Sequence, residues 1–208
     1  APRALAVAVD LPLVPLLLDN YAASGILSPH FTADPYRHGT AGFIPAEGAA
    51  AVAIGAGLSS GTCLAHYGCN SDACDPVGIP KNGGNTPCLF EGAVKGSLRP
   101  VAVCPHATGT AVQSAADPAA LAAVFPEEKP SLHLLKPYIG HTIGASGLLE
   151  TVILARFMRE GTLPPNLPGL HAPAGFVLPD HMIRTTGPVA KLSHGMGGHN
   201  ALVVLTSC

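Results

Sequence analysis

Lys136 to Leu154 reads K-P-Y-I-G-H-T-I-G-A-S-G-L-L-E-T-V-I-L, and its interpretation decides the architecture. A cation and a histidine stand five residues apart, Lys136 and His141. A glycine-and-alanine turn follows, through which the backbone can pass close to a ligand because glycine has no Cβ. From about Ala145 the pattern turns helical, with Leu148, Leu149, Val152, Ile153 and Phe157 forming an apolar stripe. His141 is thus predicted on a loop just ahead of a buried helix, where the macrodipole favours developing negative charge. That arrangement suits an oxyanion site.

Outward from this stretch, buried-type strands alternate with helices. The helix is expected to run to about Glu160, where Gly161, Pro164 and Pro165 stop it. Upstream, Leu132–Leu135 and Val101–Cys104 read as strands and Cys88–Ser97 as a helix. Asp117–Phe125 reads as a second helix, capped by Asp117 with Pro118 at its first position. Ala4–Val9 and Ala49–Ile54 are apolar enough for fully buried strands, and Cys63–Tyr67 is a third strand. Leu13–Ser24 is a short helix, while Phe31–Glu47 and the Gly-, Pro-, Asn- and Asp-rich stretch from Cys69 to Thr86 are loops. Val189–Leu192 and Ala201–Leu205 close the chain as strands around a glycine-rich turn. This alternation predicts an α/β fold with a sheet covered on both faces.

Composition narrows the function. The 208 residues suffice for one good-sized domain or two small ones. Only 12% are charged, against roughly 25% in ordinary soluble domains, so a large part of the surface is expected to face another polypeptide. A formal charge of −2 offers no basic footprint for nucleic acid. The apolar run from Leu5 to Leu18 is broken by Asp10, Pro12 and Pro15, too short for a membrane span, and it lacks the features of a secretory signal. The start at Ala1 reads as processing or as a piece of something longer. Six cysteines, at 63, 69, 74, 88, 104 and 208, contain no C-x-x-C pair. They read as buried or loop thiols in a reducing, cytoplasmic setting.

Three turns follow strands, where open α/β sheets place ligands. V-C-P-H-A-T-G-T carries His106, Thr108 and Thr110; the opening stretch carries Lys136 and His141; H-G-M-G-G-H-N spans His194–Asn200. Two neutral histidines can clamp a carbonyl oxygen through their ring N–H groups, and a nearby lysine supplies fixed charge. A rival chemistry uses His106, His141 and His199 as three metal ligands of a hydrolase, but no H-E-x-x-H pair accompanies them and Lys136 would repel a cation.

These motifs together resemble the β-ketoacyl synthases of the thiolase superfamily. H-A-T-G-T is similar to the family's H-G-T-G-T, K-P-Y-I-G-H-T-I-G-A-S-G to its K-x-x-x-G-H-x-x-G-A-A-G, and G-M-G-G-H-N to its closing G-F-G-G-T-N. Pro35–Val52, P-Y-R-H-G-T-A-G-F-I-P-A-E-G-A-A-A-V, resembles P-F-D-x-x-R-D-G-F-x-x-G-E-G-A. The resemblance runs in order through nearly the whole chain. It implies a thiolase-like fold, mixed five-stranded sheets in α/β/α/β/α layers, with residues 1–57 ending the N-terminal half and residues 58–208 forming the C-terminal half. By the same resemblance His106 and His141 hold the malonyl thioester carbonyl and Lys136 supports them. Glu150 is a buried structural carboxylate, and Thr108, Thr110, Met196, Gly197 and Gly198 face the substrate. No cofactor or metal is implied. The implied partners are an acyl carrier protein bearing phosphopantetheine-linked acyl and malonyl groups, and an N-terminal half or second ketosynthase-like subunit in a dimeric assembly.

Departures from the family pattern carry information too. Met196 stands where a gating phenylalanine is usual, His199 where threonine is usual, and Ala107 replaces the first glycine of H-G-T-G-T. No cysteine lies in the A-C-S-S-type turn that holds the family's acyl chain, so the nucleophile is expected on a separate piece. The alternative is a non-condensing partner subunit of the chain-length-factor type.

Overall fold

The computed structural model describes residues 2–57, 61–76 and 78–208. Strands β1 (Arg3–Asp10) and β2 (Gly48–Gly55) pair antiparallel, Arg3 opposite Gly55 and Asp10 opposite Gly48, with helix α1 (Pro15–Ala23) in the connection. A second sheet has five strands in the order β3 (Thr62–Ser71), β9 (His199–Ser207), β8 (Val189–Gly195), β4 (Ala102–Cys104) and β5 (Ser131–Leu132). The first three are antiparallel neighbours, whereas β8, β4 and β5 run parallel, so the sheet is mixed. Four helices attend it: α2 (Thr86–Val94), α3 (Gln113–Val124), the one-turn α4 (Lys136–Ile139) and α5 (Ser146–Arg159). A small ribbon of β6 (Thr162–Leu163) and β7 (Ile183–Arg184) follows.

The period of two along a strand sorts the five-stranded sheet into two packed faces. Val103, Ala190, Leu192, Leu202 and Val204 join Leu89 and Phe90 of α2 and Leu121 of α3 in one core. There Phe90 meets Phe125 edge to face, centroids 5.7 Å apart. Ala102, Cys104, Val189 and Leu205 join Leu154 and Met158 of α5 in the other. Lys191, one residue from both Ala190 and Leu192, is turned by the same alternation toward α5, and it is buried there.

Helix α5 lies between the two sheets, touching β1 and β2 on one side and β3, β8 and β9 on the other. Its fully buried stripe is Ser146, Glu150, Leu154 and Met158, not the apolar stripe expected from the sequence, whose members are half-buried. A helix sandwiched between sheets needs apolar residues most of the way round, so its pattern alone does not tell which side is deepest.

Other expectations need correction. The segments Ala4–Val9 and Ala49–Ile54 are strands but not fully buried: their small residues Ala6, Ala8 and Ala50 lie on the half-covered face, while Leu5, Val7, Val9 and Ile54 are exposed. Composition predicts two covered faces, and within this chain only one is covered. Asp117 is no cap. Helix α3 starts earlier, so Asp117 and Pro118 lie inside it, and the carboxylate is buried and turned to other work. The strand expected over Leu132–Leu135 ends at Leu132, because the Asn166 side chain takes the Leu134 N–H at 2.7 Å. Cys63–Tyr67 extends to Ser71, which shortens the loop that follows.

Nor are all six cysteines free: Cys63 and Cys208 form a disulfide. Strand β9 runs antiparallel to β3 with Thr62 opposite Ser207, which brings Cys208 beside Cys63 across a sequence separation of 145. No local spacing rule contains that proximity. Closing so long a loop restricts the unfolded chain, an effect of about 2–4 kcal/mol in most proteins. Reduction, or Cys63→Ser, is therefore expected to lower the melting temperature by roughly 5–15 °C without changing the far-ultraviolet circular dichroism. Calorimetry with and without reductant checks it, and an unchanged melting temperature would mean the bridge does not form in solution.

Candidate functional site

The carboxyl end of β4 leads directly into Pro105 and His106, and this is where the sheet's strands change direction of pairing, from parallel to antiparallel across β8. Ala107 takes a left-handed backbone (φ 45) and donates its N–H to Asp117 Oδ2 at 2.7 Å. The buried aspartate also accepts from Gln113 Nε2 and, at 3.2 Å, from Tyr36 OH. Asp117 is thus the fixed point around which the His106 turn is folded. Thr108 and Thr110 follow, their hydroxyls 3.4 Å apart, and Thr40 Oγ1 donates to the Gly109 carbonyl at 2.8 Å.

His141 is clamped through its backbone. Its N–H donates to the Ile44 carbonyl at 2.7 Å and its carbonyl accepts from Ala46 N at 3.0 Å. The chain can approach so closely because Gly140 has φ 70, and a Cβ there would stand 2.6 Å from that of Ala46. The loop between α1 and β2 is therefore the support of this histidine. Ser146 Oγ, at the start of α5, lies 3.0 Å from His141 Nδ1 and 3.1 Å from Thr142 Oγ1, which leaves Nε2 for a ligand. Phe43 braces the ring edge to face at 5.1 Å.

The two predicted histidines do meet. Their ring centroids are 5.4 Å apart and nearly perpendicular. A third ring, His194, stands 5.5 Å from His106 on its other side. All three line a cavity of about 810 Å³ whose wall also includes Thr108, Thr110 and Met196. Met196 is at the open end, 65% exposed, so it does not fill core space. Gly197 and Gly198 form the tip of the β8–β9 hairpin, where the Gly198 carbonyl accepts from Asp72 N at 2.9 Å. Among the described residues, His106 Nδ1 and His194 Nε2 are buried without a hydrogen-bond partner, although Asp117 Oδ1 stands 3.5 Å from His194 Nε2.

Beneath the histidines lies a buried ion cluster. Glu150 accepts from Lys136 Nζ at 2.6 Å through one oxygen and from Lys191 Nζ at 2.9 Å through the other. The Cys104 thiol lies 3.5 Å from the latter oxygen. Burial alone would raise the carboxyl's pKa, but the two ammonium groups overcome it and hold Glu150 down at about 2. Burial pushes the Cys104 thiol up to about 12, so it stays protonated. Burial, reinforced by Lys136, lowers His106 well below its ordinary value and His141 to about 3. Both imidazoles are neutral at pH 7 and can each donate one ring hydrogen bond.

Lys191, His194 and Ser146 were not singled out by sequence reasoning. A lysine in the apolar strand run V-A-K-L was the available signal for the first, and a histidine ending that strand for the second. His199 does not complete a three-histidine cluster with His106 and His141: its side chain is exposed, and His194 takes the third place. Two lysines flank the pair, and among the described residues no group of three His, Cys, Asp or Glu is placed to hold a metal ion.

The sequence pattern of the family described as Beta-ketoacyl synthase, C-terminal domain, matches residues 63–169, over half of the chain. The 3-oxoacyl-[acyl-carrier-protein] synthase 2 of Coxiella burnetii is 28% identical over 99% of this chain and 55% of its own length. An iterative polyketide synthase of Emericella nidulans is 32% identical over 70% of this chain and 6% of its own. Among solved structures, a type II polyketide ketosynthase in complex with its acyl-carrier protein superposes with a TM-score of 0.89 at 22% identity, covering 100% of this chain and 57% of that one. The ishigamide ketosynthase/chain length factor gives 0.86 at 20% identity, covering 99% of this chain and 54% of that one. The fold is thus thiolase-like, and the chain spans about half the length of the first curated relative it matches.

The depressed histidines predict a particular acid sensitivity. A histidine whose pKa falls on folding binds its proton more readily unfolded, so its contribution to stability is whole above about pH 6.5 and is lost as pH falls toward the folded value. Glu150 contributes no slope until pH approaches the ordinary carboxyl range, near 4.5. Between pH 6.5 and 5 the unfolding free energy is expected to fall by about 1.4 kcal/mol per pH unit for each such histidine. His141→Gln should remove one such increment of slope. Urea titrations at pH 7, 6 and 5 measure it, and identical slopes for the two proteins would contradict the assignment.

Proposed function

The chain belongs to the β-ketoacyl synthase family, whose C-terminal domain it matches over residues 63–169, and from that premise we propose that it supplies the decarboxylating half of a decarboxylative Claisen condensation. The proposed substrates are an acyl thioester and a malonyl thioester carried by an acyl carrier protein, in fatty acid or polyketide synthesis. The observation that carries this reading is the abutting of two neutral histidines at the buried end of an 810 Å³ cavity, above a cation-rich cluster. We read residues 1–57 as the end of the N-terminal half and residues 58–208 as the C-terminal half.

In this mechanism His106 and His141 donate to the malonyl thioester oxygen. As the C–C bond to the carboxylate breaks, carbon dioxide leaves and its electron pair becomes an enolate, whose charge on that oxygen the two donors stabilise. The enolate carbon attacks the enzyme-held acyl carbonyl, and the thiolate departs. Donors that act on charge present mainly in the transition state raise the rate of the chemical step. Lys136 does not line the cavity, and it acts from beneath through the field it shares with Glu150. Thr108 and Thr110 bind the phosphopantetheine arm, and Met196 with its flanking Gly197 and Gly198 forms an adaptable gate.

The acyl group needs a thiolate, and among the described residues the free cysteine that lines the cavity is Cys69, which is exposed on its wall and stands outside any A-C-S-S-type turn. Cys104 is buried and protonated, and Cys63 is in a disulfide. The proposed assembly therefore includes a polypeptide carrying the nucleophilic cysteine, an N-terminal half or a second ketosynthase-like subunit. The same lack favours the second reading, a non-condensing partner subunit.

In the assembled enzyme His106→Ala or His141→Ala is expected to slow malonyl decarboxylation by on the order of 10²–10³ while acyl transfer to the thiolate continues. Carbon dioxide release from malonyl carrier protein and the mass of the acylated cysteine separate the two steps. Normal decarboxylation by both variants would overturn the role of the histidines. Failure of any assembly containing this chain to form an acyl-enzyme would favour the non-condensing partner.

A further inference from the structure

His194 ends β8 directly opposite Asn200 of β9, and the hydrogen bonds around that pair fix where its protons lie. Asn70 Nδ2 donates to the Asn85 carbonyl at 2.7 Å, which leaves Asn70 Oδ1 to accept. Asn200 Nδ2 donates to that oxygen and to Asp72 Oδ2, both at 3.0 Å. A carboxylate only accepts, so the Asn200 amide is held with its own oxygen toward His194. That oxygen stands 2.5 Å from His194 Nδ1, and the ring must be the donor. The other ring nitrogen, Nε2, is buried 3.5 Å from Asp117 Oδ1. Left bare, it would set a lone pair beside a carboxylate oxygen away from water. Protonated, it meets that oxygen with opposite charge.

We propose that His194 holds protons on both ring nitrogens and pairs with the buried Asp117 carboxylate, and that this ion pair anchors the turn from which His106 projects. Asp117 is fully buried, and its hydrogen-bond donors, Ala107 N, Gln113 Nε2 and Tyr36 OH, are all neutral. Burial and Asp117 itself keep the Tyr36 phenol protonated. Lys191 acts on Asp117 as well, but it is bound to Glu150 at 2.9 Å and makes no ion pair with Asp117 among the described residues. Lys136 and Lys191 oppose a further cation, and both are engaged with Glu150. His106, 5.5 Å away, offers no second charge. Burial and Lys136 hold it neutral first, and His194 adds to them. With Nδ1 given to Asn200 and Nε2 buried against Asp117, His194 offers the cavity no hydrogen bond of its own. It is a positioning residue, acting on His106 through charge and through the Ala107 N–H that Asp117 secures.

The inference rests on the proposed reaction only for its purpose, and its test begins without that reaction. The ring nitrogens of the 208-residue chain, labelled at histidine, are read by NMR at pH 7. His194 is expected to show two N–H nitrogens and His106 one. His194→Phe keeps a ring against His106 but removes the charge. There His106 should titrate at a higher pH, and the folding equilibrium constant should fall about a hundredfold. Adding Asp117→Asn removes the carboxylate left without its partner, so the double variant should recover about tenfold of that loss. A single N–H on His194 in the unaltered chain overturns the proposal, whether or not any variant folds. So do strictly additive losses in the two substitutions, the result expected if His194 only fills space. In the assembled enzyme His194→Phe should slow carbon dioxide release about tenfold. A normal rate there, with the His106 titration unmoved, removes the positioning role. If the ring protons are as expected but no assembly containing the chain decarboxylates, the functional reading fails and the ion pair stands.

Discussion

A carboxylate held between two ammonium groups in a sheet-and-helix interior is the constraint on which this structure depends. Glu150 reaches the cluster from α5, Lys136 from the one-turn helix before it, and Lys191 from the centre of β8. None of the three can be buried alone, since removing one partner of a buried pair commonly costs about 3–5 kcal/mol. Their mutual need therefore dictates how α5 is rotated against the sheet. Rotation by one residue would turn Glu150 into apolar contacts and leave both lysines bare. The buried stripe of α5 is consequently set by electrostatics as much as by apolar area, which is why it runs through Ser146 and Glu150.

The same cluster sets the chemistry above it. Burial of the rings and the ammonium groups of Lys136 and Lys191 act in the same direction on His106 and His141, opposing protonation. A neutral imidazole is a weaker donor than an imidazolium, so the field appears at first to work against oxyanion stabilisation. The balance changes when the oxyanion itself is counted. The cations that disfavour a charged ring favour a charged ligand, and the ring is left to supply a directed hydrogen bond without a proton it could lose. Orientation comes from elsewhere: Asp117 fixes the turn of His106, and Ser146 and the Ile44–Ala46 backbone fix His141.

How much of this could be read from the residues depended on range. His106, His141, Lys136 and Glu150 stand in local motifs whose order and spacing suffice, and the structure brings all four to one place. The thiolase-like α/β fold followed from strand and helix alternation together with those motifs. What escaped was whatever depends on pairing between distant segments. The Cys63–Cys208 bridge exists because β3 and β9 are neighbours, and neither cysteine's surroundings in the chain announce that. Lys191 looked like an ordinary strand residue because a strand's two faces are indistinguishable until the sheet is assembled. Asp117 read as a cap because Asp-Pro is a strong start signal. The helix overrides it, since the aspartate is needed one turn further in to receive Ala107, Gln113 and Tyr36.

The loop between α1 and β2 bears on where one half of such a fold ends and the next begins. A boundary near residue 57 leaves Tyr36, Thr40, Phe43, Ile44 and Ala46 on one side and the histidines they support on the other. Thr40 holds the Gly109 carbonyl, and Ile44 and Ala46 hold both backbone groups of His141. A backbone clamp of this kind cannot be replaced by side chains on the helix that follows, because Gly140 leaves no Cβ to pack. The outer face of the small β1–β2 sheet, with Leu5, Val7 and Val9, is exposed. On the proposed boundary the histidine site would be built jointly, with the loop between α1 and β2 holding backbone groups of both histidine turns.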